Sequence, residues 1–331
     1  MRYLITGGAG VVGSLLAARL LNAGHDVTIL DACEAVRNTF NLELLDRAMV
    51  HAVRLEKCGT FLQVLVRDSD RIVHAAASTG IPHSADDPDD DWDSNVEGTR
   101  ALLEAVRKHP RPTVVMSSVK PYGLGRGLAR HGVDESYPLE PDEPYAASKA
   151  AQSMLAMGWA RSYDLPIVCL RFSNLYGPAA CHGPRHGWLT WFCIQAALGW
   201  PSEIQGSGDQ ARDMLFSDDI DAALLVALDR IDELRGRVFN VGGGPENVIS
   251  VFEAWRRLQT LRERLGLLTI EARKGPTRRH EDEVFYTDYR RFQQATGWSP
   301  QINVEHGIEY VFAWAGARQE RLAAVYKDIP R

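Results

Sequence analysis

The stretch from Tyr3 to Asp31 constrains the fold of this 331-residue chain more than any other. A short apolar run, Tyr3-Leu4-Ile5-Thr6, leads into Gly7-Gly8-Ala9-Gly10-Val11-Val12-Gly13, and Ser14 to Leu21 follows with apolar residues at helical spacing. Gly24 closes that helix, and Asp26-Val27-Thr28-Ile29-Leu30-Asp31 has the pattern of a second strand. Glycines are needed where a backbone turns sharply and lets a pyrophosphate approach a helix N-terminus, whose free N–H groups and dipole favour an anion. Gly7, Gly10, Val11, Val12 and Gly13 therefore form a candidate phosphate cradle. Asp31, ending the second strand, can accept both ribose hydroxyls of an adenosine, which favours NAD over NADP.

Strand and helix patterns keep alternating through the first half. Asp70 to Ala76 has the pattern of a strand that runs into small residues, and Ser94 to His109 that of a helix stopped by Pro110-Arg111-Pro112. Thr113 to Ser117 is the next expected strand, Tyr145 to Tyr163 a long helix, and Pro166 to Arg171 another strand. Alternation of this kind implies an α/β fold with a doubly wound parallel sheet of the Rossmann type, which binds ligands at the carboxyl ends of its strands. Past Tyr176-Gly177-Pro178 the pattern changes, with Trp188, Trp191, Phe192 and Trp200 clustered and glycine loops recurring. The expected division is an NAD-binding domain over 1–176 and a smaller, partly interleaved substrate domain over 177–331. Part of 213–245 is expected to return to the first domain.

The run Tyr145-Ala-Ala-Ser-Lys149 puts a phenol and an ammonium on one helix face, within reach of each other. A lysine ammonium stabilises a phenolate and is expected to lower the tyrosine pKa from its usual value of about 10, which makes a usable general base. Where a strand ends in Met116-Ser117-Ser118, the Ser118 hydroxyl can hold a substrate hydroxyl against Tyr145; taken alone, it would be a serine capping local backbone. Beside the glycine cradle, Ser118, Tyr145 and Lys149 constitute a candidate catalytic set for moving a proton while hydride leaves carbon for a nicotinamide.

Composition narrows the classes of partner. A formal charge of −6 argues against non-specific nucleic-acid binding, which needs a basic stripe. No apolar run approaches the roughly 18 residues that cross a bilayer. The first strand starts at Tyr3, which leaves no room for a signal peptide, and five scattered cysteines fit a reducing cytoplasm better than a disulfide framework. The acidic run Asp86 to Asp93 lacks the alternating oxygens and central glycine of a calcium loop and is expected to be a solvated loop leading into a helix. Cys181, His182 and His186 resemble metal ligands, but without a second cluster a plain loop is expected, and no metal.

The chain also resembles the extended short-chain dehydrogenase/reductase family. The resemblance rests on Thr6 to Gly13, Asp31, His74-Ala75-Ala76, Asn95-Val96-Glu97-Gly98-Thr99, Ser117-Ser118, Tyr122-Gly123, Tyr145 to Lys149 and Arg171 to Pro178. It continues through Gln210 to Asp213, Asp218-Asp219, Phe239 to Gly244 and Gly297 to Pro300, nearly the whole chain in order. It implies tightly held NAD, a Ser/Thr–Tyr–Lys site, a nucleotide-diphosphate sugar as substrate and a homodimer built on the helices starting near Ser94 and Tyr145. Ala75, Ala76, Asn95 and Ser117 would then lie along the cofactor with Tyr145 and Lys149, Asn95 helping to position Lys149 directly or through a water. Asn174, Arg212 and Arg278 would face the sugar nucleotide, the two arginines on its pyrophosphate.

Within the family, Ser118-Val119-Lys120-Pro121-Tyr122 places a lysine where sugar 4,6-dehydratases carry an Asp-Glu pair. Lys120, the Gly187-Trp188-Leu189-Thr190-Trp191-Phe192 segment and Glu283 to Asp288 resemble the CDP-tyvelose (CDP-paratose) 2-epimerases, so Lys120, Trp188 and Trp191 are candidate substrate contacts. The alternatives are core tryptophans and a solvated lysine. The stretch Ala52 to Glu56 lacks the Asp that the family often uses to hold the adenine amine. The function implied is an NAD-dependent nucleotide-sugar epimerase that inverts C2 or C4 by transient oxidation and re-reduction. A 4-keto-sugar nucleotide reductase using NAD(P)H is the alternative within the class, and a redox-silent NAD-binding regulatory protein the alternative outside it.

Overall fold

A computed structural model describes residues 1–33, 40–41, 45–79, 81–123, 132–180, 183, 187–276 and 284–329. Its centre is a parallel sheet of seven strands: β1 (Arg2–Thr6), β2 (Asp26–Asp31), β3 (Met49–Ala52), β4 (Arg71–His74), β5 (Thr113–Ser118), β6 (Ile167–Phe172) and β7 (Val238–Val241). Their spatial order is β3-β2-β1-β4-β5-β6-β7, so the chain starts in the middle, winds outward one way, then crosses and winds outward the other. The crossover between β1 and β4 leaves a crevice at the strands' carboxyl ends.

The strands are near-continuous apolar runs because helices cover both faces. One side chain of each pair, Leu4, Leu30, Ile72, Val115 and Ile167, packs under α2 (Thr60–Asp68), α3 (Gly98–Lys108) and α4 (Pro144–Ser162). The alternate residues, Ile5, Ile29, Val73, Val114 and Val168, pack under α1 (Val11–Asn22) and a helix from the later chain, Ser217–Asp229. That helix brings the chain back to the sheet, where β7 pairs in parallel with β6. Phe292 and Trp298, far later still, fill the same core.

The remaining chain forms a second apolar core around the helix Trp188–Leu198, the strand Ala211–Phe216 and the helix Val304–Gly316. The strand Ala211–Phe216 sits centrally in a small sheet, antiparallel to Val248–Ser250 and parallel to both Asn174–Tyr176 and Val284–Phe285. The segment 177–331 is thus built into both cores.

The expected helix over Ser94–His109 begins instead as a π-helical turn, Trp92–Glu97, and becomes α-helical only at Gly98. π turns concentrate at functional sites because the extra residue re-aims a side chain. The acidic run is also not a solvated loop throughout. Asp87 caps a short helix over Pro88–Asp91, Asp90 pairs with Arg54 at 2.7 Å, and Asp91 is buried at 1% exposure.

A buried polar cluster ties β5, β6 and β7 together near the crevice. Ser117, Arg171 and Asn240 stand side by side across the three strands. The Arg171 guanidinium donates to Tyr122 Oη at 2.9 Å and to Ser153 Oγ at 3.3 Å, and lies over the Tyr122 ring. Tyr122 in turn donates to Asn240 Oδ1 at 2.9 Å. Arg171→Met keeps the apolar stem but strands these partners, so the free energy of unfolding should drop by about 1.5–3 kcal/mol in urea titration. An unchanged urea midpoint would show that the cluster contributes nothing net.

Candidate active site

At the crevice the glycine turn leaves no room for side chains. Gly7 has a positive φ of 72°, and a Cβ there would lie 2.5 Å from Ala76 N. A Cβ on Gly13 would lie 2.3 Å from the Gly7 carbonyl oxygen, so β1, the loop after β4 and the first turn of α1 are in backbone contact. Gly10 is the N-cap of α1 and offers no side-chain cap, and no acidic residue sits in the first turn. The N–H groups of Val11, Val12 and Gly13 are therefore the kind of anion cradle a pyrophosphate fits. Asp31 ends β2, and its carboxylate accepts the Ala9 N–H at 2.9 Å and the Cys33 N–H at 2.8 Å. It holds the glycine loop closed, with acceptor capacity left for ribose hydroxyls.

A line of hydrogen bonds runs from this cradle toward the π turn. His74 is fully buried, and burial, then the nearby Lys149, lowers its pKa to about 3. Neutral imidazole has one N–H, and the neighbours decide which nitrogen carries it. The Thr99 hydroxyl donates to the Asn95 carbonyl at 2.7 Å, so it must accept from His74 Nε2, 2.8 Å away. Nδ1 then accepts from Thr6 Oγ1 at 2.7 Å. Asn95 itself is fully buried and donates to Ser148 Oγ at 2.9 Å and to the Ser78 carbonyl at 3.1 Å, while its Oδ1 has no partner among the described residues. An orphaned acceptor here suits a bridging water or a bound group.

Ser117 and Ser118 end β5, next to the first turns of α4. Ser117 Oγ donates to the Lys149 carbonyl at 3.0 Å, and Lys149 Nζ donates to the Met116 carbonyl at 3.0 Å. Ser118 hydrogen-bonds the Tyr145 phenol and also accepts the Lys120 N–H at 3.1 Å. The structure thus brings Ser118, Tyr145 and Lys149 together. It corrects one electrostatic expectation. Burial pushes Tyr145 up to about 12, opposed by the Ser118 hydrogen bond, while Lys149 is turned to a backbone carbonyl and burial lowers it to about 8. In this arrangement the lysine does not depress the phenol.

Glu143 escaped sequence reasoning. It is the N-cap of α4, and its two carboxylate oxygens accept the Tyr145 and Ala146 N–H groups at 3.2 and 3.0 Å. Its signal was an acidic residue immediately before a proline at the first helical position.

The expected substrate contacts are placed unequally. Asn174 begins a short strand beside Met214, and Arg212 lies in the neighbouring strand, donating to the Ala211 carbonyl at 2.7 Å. Lys120 opens the turn after Ser118. Trp188 is half-buried, edge-on to Phe192. Trp191 is a correction: at 4% exposure it packs between Trp200 and Tyr326, so it is a core side chain. Arg278, Cys181, His182 and His186 lie outside the described residues. Among the described residues, no group of three or more His, Cys, Asp or Glu side chains could hold a metal ion.

Residues 3–242 match the profile of the NAD-dependent epimerase/dehydratase family. The chain belongs to this family. CDP-paratose 2-epimerase of Salmonella typhi is 29% identical, covering 96% of this chain and all of that protein. The dTDP-glucose 4,6-dehydratase of Streptomyces venezuelae, solved with NAD and TYD bound, has 27% identity and a TM-score of 0.85 over 98% of this chain and all of its own. The UDP-glucose 4-epimerase of Thermus thermophilus, solved with NAD, has 27% identity and a TM-score of 0.82 over 95% of this chain and 99% of its own. NAD is the family's cofactor, and the crowded glycine cradle, Asp31 and the orphaned Asn95 oxygen fit it. Gly13→Ala forces the cradle apart at its tightest point, so the purified protein should lose most of its bound NAD, measured by chromatography after acid release, while its far-ultraviolet circular dichroism stays the same.

Proposed function

We propose that this family member is a nucleotide-sugar epimerase that inverts one ring carbinol by way of a keto-sugar. The observation that carries the reading is the end of β5, where Ser118 hydrogen-bonds the Tyr145 phenol and the next turn presents Lys120. A dehydratase needs a free acid there to eliminate water. The carboxylate nearest Tyr145 is Glu143, and both its oxygens are engaged by backbone N–H groups.

Bound in the cradle, NAD supplies a reversible hydride acceptor. Ser118 holds the substrate hydroxyl in line with Tyr145, whose phenolate takes its proton and, as the phenol, later returns it. Lys149, fixed by Met116, supplies positive charge beneath the phenol, and Asn95 holds the start of α4 through Ser148. Burial raises the phenol, and positive charge close to its oxygen would oppose that rise.

Likeness to the Salmonella typhi protein supports C2 of a CDP-sugar, with C4 of a UDP-sugar as the competing position. Arg212, Asn174, Lys120 and Trp188 are the residues assigned to the sugar nucleotide, with Arg278 assigned from its sequence context. A homodimer through α3 and α4 is supported by exposed Trp92 and Met154 beside and on α4. Among the described residues Cys33, Cys58, Cys169 and Cys193 form no disulfide, in keeping with a reducing compartment.

Two measurements test the reading. Tyr145→Phe should lower turnover by about 10²- to 10⁴-fold while NAD stays bound; unchanged turnover would remove the phenol from the mechanism. Incubation with CDP-, UDP- and dTDP-sugars should give an epimer by nuclear magnetic resonance with no net absorbance change at the NADH wavelength. Steady consumption of added NAD(P)H would favour the keto-reductase instead.

A further inference from the structure

Asp91 has no place in the roles given so far, and its surroundings are unusual for a carboxylate. It is 1% exposed, and neither oxygen has a hydrogen-bond partner among the described residues. A carboxylate removed from water without partners is costly unless a cation lies close. Its acidic neighbours are otherwise occupied or outside: Asp90 pairs with Arg54, and Asp89 and Asp93 are exposed.

The backbone carries Asp91 to the reacting end of α4. Asp91 immediately precedes the π turn, and Asn95 in that turn grips Ser148, the residue before Lys149. Pro88, Asp89 and Trp92 face Pro144, Ala147 and Ser148 across a cavity of about 280 Å³, so this segment lies along the first turns of α4. The field of Asp91 reaches both Tyr145 and Lys149. An ammonium has three donors, and the Met116 carbonyl takes one of those on Lys149.

We propose that Asp91 is the counter-charge of Lys149, a positioning residue that keeps the buried ammonium charged and in place beneath Tyr145. Among the described residues, the other groups around Lys149 are unsuited to that work. On β6, burial pushes the Cys169 thiol up to about 11, so it carries no charge at working pH. On β4, His74 is neutral. On α4, Tyr145 is held as the phenol, and Glu143 is engaged at the helix N-terminus. Ser84, from the short helix Ile81–Asp86, is buried but uncharged. Burial lowers Lys149, Cys169 and Asp91 are the groups that oppose it, and the balance stands at about 8. With the thiol neutral, Asp91 is what remains.

The inference rests on the reading of Tyr145 and Lys149 as the working pair, and its test does not depend on turnover. Full-length protein labelled with ¹³Cε-lysine gives one resonance for Lys149, assigned by its loss in Lys149→Arg. In Asp91→Asn that resonance should titrate about one pH unit or more below its position in the parent protein. Asp91→Glu should restore most of the difference, and Asp91→Ser serves if the Asn variant fails to fold. The alkaline limb of kcat/KM should move down in step, because the ammonium is lost at lower pH. A side chain with only a structural role would lower activity at every pH and leave the Lys149 midpoint where it was. An unmoved midpoint overturns the assignment of Asp91. Full activity in Tyr145→Phe overturns the catalytic reading instead, whatever the midpoint does.

Discussion

Backbone pressed against backbone at Gly7 is the constraint from which the rest of the molecule follows. With no Cβ possible there, β1 turns directly over the Ala75–Ala76 peptide and delivers the chain to the N-terminus of α1. Asp31 closes the loop from the next strand by taking the Ala9 N–H. The position of the crevice, the adjacency of β1 and β4 and the direction of the helix dipole all derive from that contact. The Thr6–His74–Thr99–Asn95 line then extends it, since Thr6 immediately precedes Gly7 and Asn95 grips the start of α4. The glycine cradle and α4 are joined by hydrogen bonds through a neutral imidazole, which has no charge to be desolvated.

Much of this was legible in the order of residues. Strand positions over Asp26–Asp31, Thr113–Ser118 and Ile167–Phe172 follow from apolar runs between turn signals, and the glycines of the cradle are required by geometry no other residue tolerates. The Ser118, Tyr145 and Lys149 assembly was legible because each sits at a strand end or on one helix face, where spacing translates directly into proximity. Less local properties were hidden. The π turn at Trp92–Glu97 has no period of its own to detect, and burial of Asp91 depends on α4, more than fifty residues later in the chain. The lysine's effect on the phenol is hidden for a related reason. Four residues of helical spacing fix where a side chain starts, but the Met116 carbonyl decides where the ammonium ends. Trp191 shows the opposite limit, since a motif match cannot say which of two tryptophans on one helix faces inward.

The polar side of the site is costly to bury and is stabilised by completeness. His74 is satisfied on both nitrogens, Arg171 is held by Tyr122 and Ser153, and Ser117 and Lys149 are both fixed to main-chain carbonyls. Among the described residues the Asn95 oxygen and the Asp91 carboxylate, both on the wall facing the first turns of α4, lack partners, as do Gln152 Oε1, Ser78 Oγ and Arg171 Nε. Of these, only the Asp91 carboxylate would carry a full charge without a hydrogen bond, which makes it the costliest group of the set to bury.

The placement of β7 bears on how the molecule can be made. Between β6 and β7 lie a helix and a strand that begin the second core, so the large sheet is closed by a strand synthesised after that core has begun. Until Val238–Val241 arrives, β6 is an exposed edge, apolar but for Arg171, the kind of surface that pairs with other chains. Phe292 and Trp298, later still, complete the packing beneath it. The nucleotide-binding half is therefore not a module that could be cut away or borrowed. A ribosome must release nearly the whole chain before either half has a finished interior.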